Sequence, residues 1–145
     1  MFRDTFRLLA GSAFAVAAAA VPALADPAWD QSMSRGLSIY HIEAGDNAAT
    51  LTCDPERVFG GRSNGSLQVV LAGQKVSGQI VLLSEDGHQA AFQMKDGLAP
   101  QYDADAKEWD RMIAALAKGG SYAFVTSAES WRLDNVEPLP KLDCK

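Results

Sequence analysis

The chain has few of the residues from which catalytic and metal centres are built: two cysteines and two histidines in 145 residues. It contains no Cys-x-x-Cys pair, P-loop, Ser-x-x-Lys pair or Cys/His dyad, so thiol redox exchange, phosphate cradling and the common nucleophilic mechanisms have no motif to rest on. A metal centre needs several His, Cys or carboxylate ligands in a fixed geometry. His41 sits in an apolar strand-like run and His88 beside a turn, neither with such company. Asp103, Asp105 and Glu108 cluster, but without the glycine and distal glutamate of a calcium loop. Acids in the first turn of a helix explain them better. The sequence therefore predicts no cofactor, no metal and no catalytic set.

Positive charge is also scarce. Thirteen Lys and Arg face eighteen Asp and Glu, a net charge of −5. That balance argues against nucleic acid and anionic membrane surfaces as partners, and leaves basic proteins, cations and neutral ligands.

One long apolar run exists, at the start. "MFRDTFRLLAGSAFAVAAAAVPALA" carries Arg3 and Arg7, an apolar stretch from Leu8 to Val21, and Ala23-x-Ala25 before Asp26-Pro27. This is the pattern of a secretory signal peptide cut after Ala25. A membrane anchor would need roughly 20 apolar residues and a stop signal behind them. No cysteine near the cut allows lipid attachment, Arg3 and Arg7 are not an adjacent twin-arginine pair, and the alanine-rich signal suggests a bacterial source. The expected product is residues 26–145, with no membrane span after cleavage, periplasmic or secreted. It is one unit more acidic than the whole chain because Arg3 and Arg7 leave with Asp4. Its length fits a single domain.

Both cysteines, Cys53 and Cys144, fall in the exported part. An even pair in an oxidising compartment predicts a disulfide. Closing so long a loop stabilises by about 4 to 5 kcal/mol in the chain-entropy account and pins a tail that would otherwise fray.

From Trp29 onward the chain reads as short strands separated by turns. "GLSIYHIEAGD" sets Tyr40 and Ile42 against Leu37, Ile39 and His41, and "AATLTC" ends before Asp54-Pro55. In "SLQVVLAG" the residues Leu67, Val69 and Leu71 share a face; in "HQAAFQMKDG" Ala90, Phe92 and Met94 do. Four successive apolar residues, Ile80 to Leu83, predict a strand covered on both faces, and Glu85-Asp86-Gly87 a hairpin. The middle of the chain thus reads as a β-meander. In "YDADAKEWDRMIAALAKGGSY" the period changes: Trp109, Met112, Ile113 and Leu116 lie on one helical face, predicting a helix over about 105–118 capped by Asp103 or Asp105 and stopped by Gly119-Gly120. "SYAFVTSA" and "SWRLDNV" add two strands, and Pro138 and Pro140 lead an extended tail to Cys144. The expected fold is α+β, mostly β: an antiparallel sheet, or a small β-sandwich or barrel, with one packed helix.

"GRSNG" at 61–65 matches the nucleophile elbow G-x-S-x-G, but a strand follows it rather than a helix, and His88 is the only later histidine. The reading is a turn whose glycines supply unusual backbone angles. The sequon Asn64-Gly65-Ser66 within it is read as chance. Trp109 and Trp131 are expected in the core. Trp29 and Tyr102 are expected at the surface, and with the 54–65 loop and its Arg57, Arg62 and Asn64 they are the candidate binding residues.

The run "DAKEWDRMIAALAKGGSYAFVTSAESWRLDNVEPL" orders a helix, an "AKGG" stop, a strand, a turn and a strand ending "L-x-x-V". With the signal peptide and preceding strands it resembles the small exported proteins of the invasion-associated locus B group of alphaproteobacteria. The resemblance covers roughly the last third of the chain; the second cysteine pair of many such proteins is absent. It implies a β-rich periplasmic domain without known catalysis, linked to the envelope or to host contact. The functional expectation is a non-enzymatic protein that binds an envelope or secreted protein, or a small envelope ligand. Two alternatives stand beside it: an inhibitor or immunity protein for a basic envelope-acting enzyme, and a small hydrolase using Asp103, Asp105 and Glu108.

Overall fold

A computed structural model describes residues 26–139 and Cys144; the expected signal peptide, residues 1–25, lies outside the described residues. Strands β1 (Asp30–Ser34), β2 (Leu37–Ala44), β3 (Asn47–Cys53), β4 (Ser66–Leu71), β5 (Gln74–Lys75) and β8 (Leu98–Pro100) form one antiparallel sheet. Its order is β1-β2-β3-β4, with β5 and β8 sharing the far side of β4. Strands β10 (Ser130–Val136), β9 (Gly120–Val125), β6 (Gly78–Ser84) and β7 (Gln89–Met94) form a second antiparallel sheet in that order. The single α-helix among the described residues, α1 (Ala106–Lys118), lies against β7. The fold is α+β and mostly β, with two open sheets rather than a closed barrel.

Period-2 patterning sets which residues enter the core. Tyr40 and Ile42 of β2, Leu51 and Cys53 of β3, and Leu67, Val69 and Leu71 of β4 are buried from the first sheet. Ile80 and Leu82 of β6, Ala90, Phe92 and Met94 of β7, and Tyr122, Phe124, Trp131 and Leu133 of β9 and β10 meet them in the same core. Helix α1 contributes Trp109, Met112 and Leu116. The Asp105 carboxylate caps its start, accepting from the amides of Lys107 at 2.9 Å and Glu108 at 3.2 Å. Gly119, with φ of 71°, ends it.

The tail closes the molecule. Cys53 and Cys144 are joined as a disulfide, their Cα atoms 4.8 Å apart, and the Trp109 indole N–H donates to the Cys144 carbonyl at 3.1 Å. Leu139 is buried, and its amide donates to the Leu116 carbonyl.

Two expectations about the strands are corrected. Of the run Ile80–Leu83, only Ile80 and Leu82 are buried, while Leu83 is exposed, because no element among the described residues covers the outer face of the second sheet there. Nor is the middle one meander: the hairpin β6–β7, turning at Asp86-Gly87 as expected, belongs to the second sheet. The chain returns to the first sheet through Asp96-Gly97, both at positive φ, which turns Lys95 back onto Leu98. Arg35-Gly36 and Ala72-Gly73 share that geometry in the β1–β2 and β4–β5 hairpins.

Candidate binding surface

Cys53 ends β3 at the core, and the next residue, Asp54, shapes the loop that leaves it. Asp54 is 1% exposed and has no ion pair among the described residues. Its carboxylate accepts from the amides of Val58 at 3.0 Å and Asn64 at 2.9 Å, and from the Asn64 side-chain amide at 2.8 Å. Burial pushes its pKa up, but the hydrogen bonds from Asn64, Val58 and Arg57 outweigh that and hold it below the usual carboxylate value. The two ends of the 54–65 loop are thereby tied through one charged acceptor.

A second knot closes the far end. The Ser63 hydroxyl donates to Gln101 Oε1 at 2.6 Å and accepts from the Gly65 amide at 3.0 Å, while the Gln101 amide donates to the Gly65 carbonyl at 2.8 Å. Gln101 opens the 3₁₀ turn Gln101–Asp103, so the loop is fastened to the segment carrying Tyr102. The Arg62 guanidinium lies over the Tyr102 ring, 4.0 Å from its centroid. Arg57 Nη1 donates to the Gly61 carbonyl at 3.1 Å. On the other flank Gly36 backs onto Val58: a methyl group at position 36 would stand 2.9 Å from Val58 Cγ1.

Between these knots the loop presents Val58 and Phe59, the latter 60% exposed, and Tyr102 is 48% exposed. Arg57 and Arg62 flank them in the same loop, and Arg35 precedes the Gly36 that backs onto Val58; all three arginines are exposed. Among the described residues these three arginines make no ion pair, whereas Arg111 and Arg132 pair with Glu108 and Asp134. Exposed Glu56 in the loop and Asp103 beside Tyr102 are the neighbouring acids. Tyr102 also borders an open groove of about 690 Å³ lined by Phe92, Lys95, Leu98, Pro100 and Asp103.

Of the sequence candidates, the structure brings Arg57, Arg62 and Tyr102 together at this surface. Asn64 is at the same place but turned inward, its side chain held by Asp54 and half-buried, so it shapes the loop instead of facing outward. Trp29 is a correction. It is buried, and its indole N–H donates to the Tyr122 hydroxyl at 2.6 Å, because the chain before β1 folds back over the core. Burial of the Tyr122 hydroxyl itself raises its pKa, against the opposing effect of the hydrogen bond from Trp29. Arg35, Val58 and Phe59 were not singled out from the sequence. The available signal was "RVFGGR", an apolar pair between arginines in a glycine-rich loop without strand or helix period.

The other motifs resolve locally. The Ser63 hydroxyl is engaged by Gln101 and Gly65, and no histidine contacts it. Asp105 caps α1; Glu108 accepts from the Ala91 amide at 2.7 Å and pairs with Arg111 at 2.6 Å. No group of three or more His, Cys, Asp or Glu able to hold a metal is found among the described residues. No helix among them is long and apolar enough to cross a membrane. Comparison of the chain with family models, curated proteins and solved structures finds no match in any of the three.

Proposed function

We propose that this protein is an exported, non-enzymatic recognition domain that binds a protein of the cell envelope through the 54–65 loop, the Arg35-Gly36 turn and Tyr102. The observation that carries the reading is an exposed Phe59 on a loop locked from within by the Asp54 carboxylate. Mobile loops lose affinity when they order on binding, and one already fixed avoids that cost. Aromatic and arginine side chains on such a support are the residue types that dominate binding energy at protein interfaces. The amino-terminal export signal, the disulfide and the resemblance of the last third to small exported proteins support the compartment.

A photo-crosslinking residue placed at Phe59 tests this in cells expressing the full chain, with the same residue at Leu83 on the outer face of the second sheet as control. Discrete protein adducts from position 59 and none from position 83 are the expected result. Adducts from 83 alone, or from neither position, would refute the assignment.

A further inference from the structure

Resting on that reading, we infer that the partner presents an acidic segment: Asp or Glu carboxylates beside an apolar side chain, received by Arg35, Arg57 and Arg62 around Val58 and Phe59. The chain as a whole is acidic, yet three arginines that make no ion pair among the described residues gather at one end of one sheet, with no lysine in the turn or the loop. An arginine fork donates two parallel N–H groups to a planar carboxylate, which a lysine cannot do.

Two of the three forks are already held. Arg62 lies over the Tyr102 ring, and Arg57 is tethered to the Gly61 carbonyl, each leaving donors free for a ligand. Val58 and Phe59 between them supply an apolar anchor. A uniformly charged polymer would not need that anchor.

An anionic bilayer is the less suitable occupant. Basic residues near a membrane contribute roughly 1 kcal/mol each, so three arginines give weak attraction, and Glu56 and Asp103 beside the patch oppose it. A polypeptide segment can place its carboxylates locally and avoid those acids.

The test uses oxidised protein comprising residues 26–145 and two short peptides, one alternating Glu with Phe and one with Lys in place of Glu. Binding is followed by amide NMR shifts. The Glu peptide should move the signals of Arg35, Gly36, Val58 through Arg62 and Tyr102; the Lys peptide should not. The double variant Arg57→Glu/Arg62→Glu should weaken the Glu peptide about tenfold or more, and raised salt should weaken it further. Lys107→Glu should leave it unchanged. No shift at the loop, equal response to both peptides, or shifts spread over the lysines would overturn the inference. Vesicles of phosphatidylglycerol are the third arm: binding to them that is lost in the double variant, without peptide binding, would assign the patch to a lipid surface instead. If crosslinking from position 59 succeeds while the peptides fail to discriminate, the recognition domain stands and only its acidic partner falls.

Discussion

A carboxylate removed from water without a cation beside it destabilises a protein unless hydrogen bonds replace the lost solvent. Asp54 is in that position, and Asn64 and Val58 supply the replacement. Replacing Asp54 with alanine leaves those donors without an acceptor, and should lower the unfolding free energy by about 1 to 3 kcal/mol in urea denaturation. The same side chain gives a pH dependence. Its folded pKa lies below the unfolded value, so its contribution is complete above about pH 4 and is lost as pH falls through the folded pKa. Asp86 and Asp134, lowered by Lys118 and Arg132, act in the same direction from exposed positions. The melting temperature should therefore stay level from neutral pH to about 5 and drop below about 4, with a shallower drop in Asp54→Asn. A drop of equal depth in that variant would place the titrating groups elsewhere. At this scale the sequence was a partial guide. Arg57, Arg62 and Tyr102 could be named from it, whereas "DPERVFGGRSNG" gives no sign that Asp54 points inward and Phe59 outward.

At the scale of elements, the helix was the most legible part of the chain. Its apolar spacing, acidic start and double-glycine stop agree, and it runs from Ala106 to Lys118 as that pattern requires. Gly119 does more than stop it. With φ of 71°, it lies where a methyl group would come within 2.7 Å of the Val136 carbonyl oxygen and the Pro138 nitrogen. Gly119→Ala should combine backbone strain with a clash and destabilise by more than about 1 kcal/mol, read as a lower melting temperature. An unchanged melting temperature would mean that the final strand and tail shift freely away from the helix end. The strands were less uniform. Those with one buried face were visible, but β1, "DQSMS", has all five residues exposed and no apolar alternation. Strands β5 and β8, two and three residues long, are held through β4 rather than by any pattern of their own. The edge of β7 is also managed from a distance, since the Ala91 amide reaches the Glu108 carboxylate of α1.

For the whole molecule, the disulfide joins the end of an interior strand to the carboxy-terminal segment. It ties β3 to a tail that also accepts from Trp109, and Trp109 packs edge-on against Phe92 at 6.2 Å between centroids. Reduction should lower the unfolding free energy by about 4 kcal/mol, from the 91-residue separation. Because Cys53 precedes Asp54, it should also weaken hydrogen-exchange protection at the Val58 and Asn64 amides. Denaturation and exchange with and without reductant would measure both. Loss of global stability with unchanged protection in the loop would uncouple the bond from the binding surface.

The sequence by itself determined the class of fold, the helix and its glycine stop, the cysteine pair and the core faces of the principal strands. Each of these follows from spacing within a short stretch, or from having only two cysteines to pair. Only the tertiary structure decided that β6 and β7 leave the first sheet, that Trp29 folds over Tyr122, and that Arg35, Arg57, Arg62, Phe59 and Tyr102 share one end of the molecule. Those outcomes depend on contacts between residues far apart along the chain, such as Gly36 with Val58 and Ser63 with Gln101, and local periodicity carries no information about them.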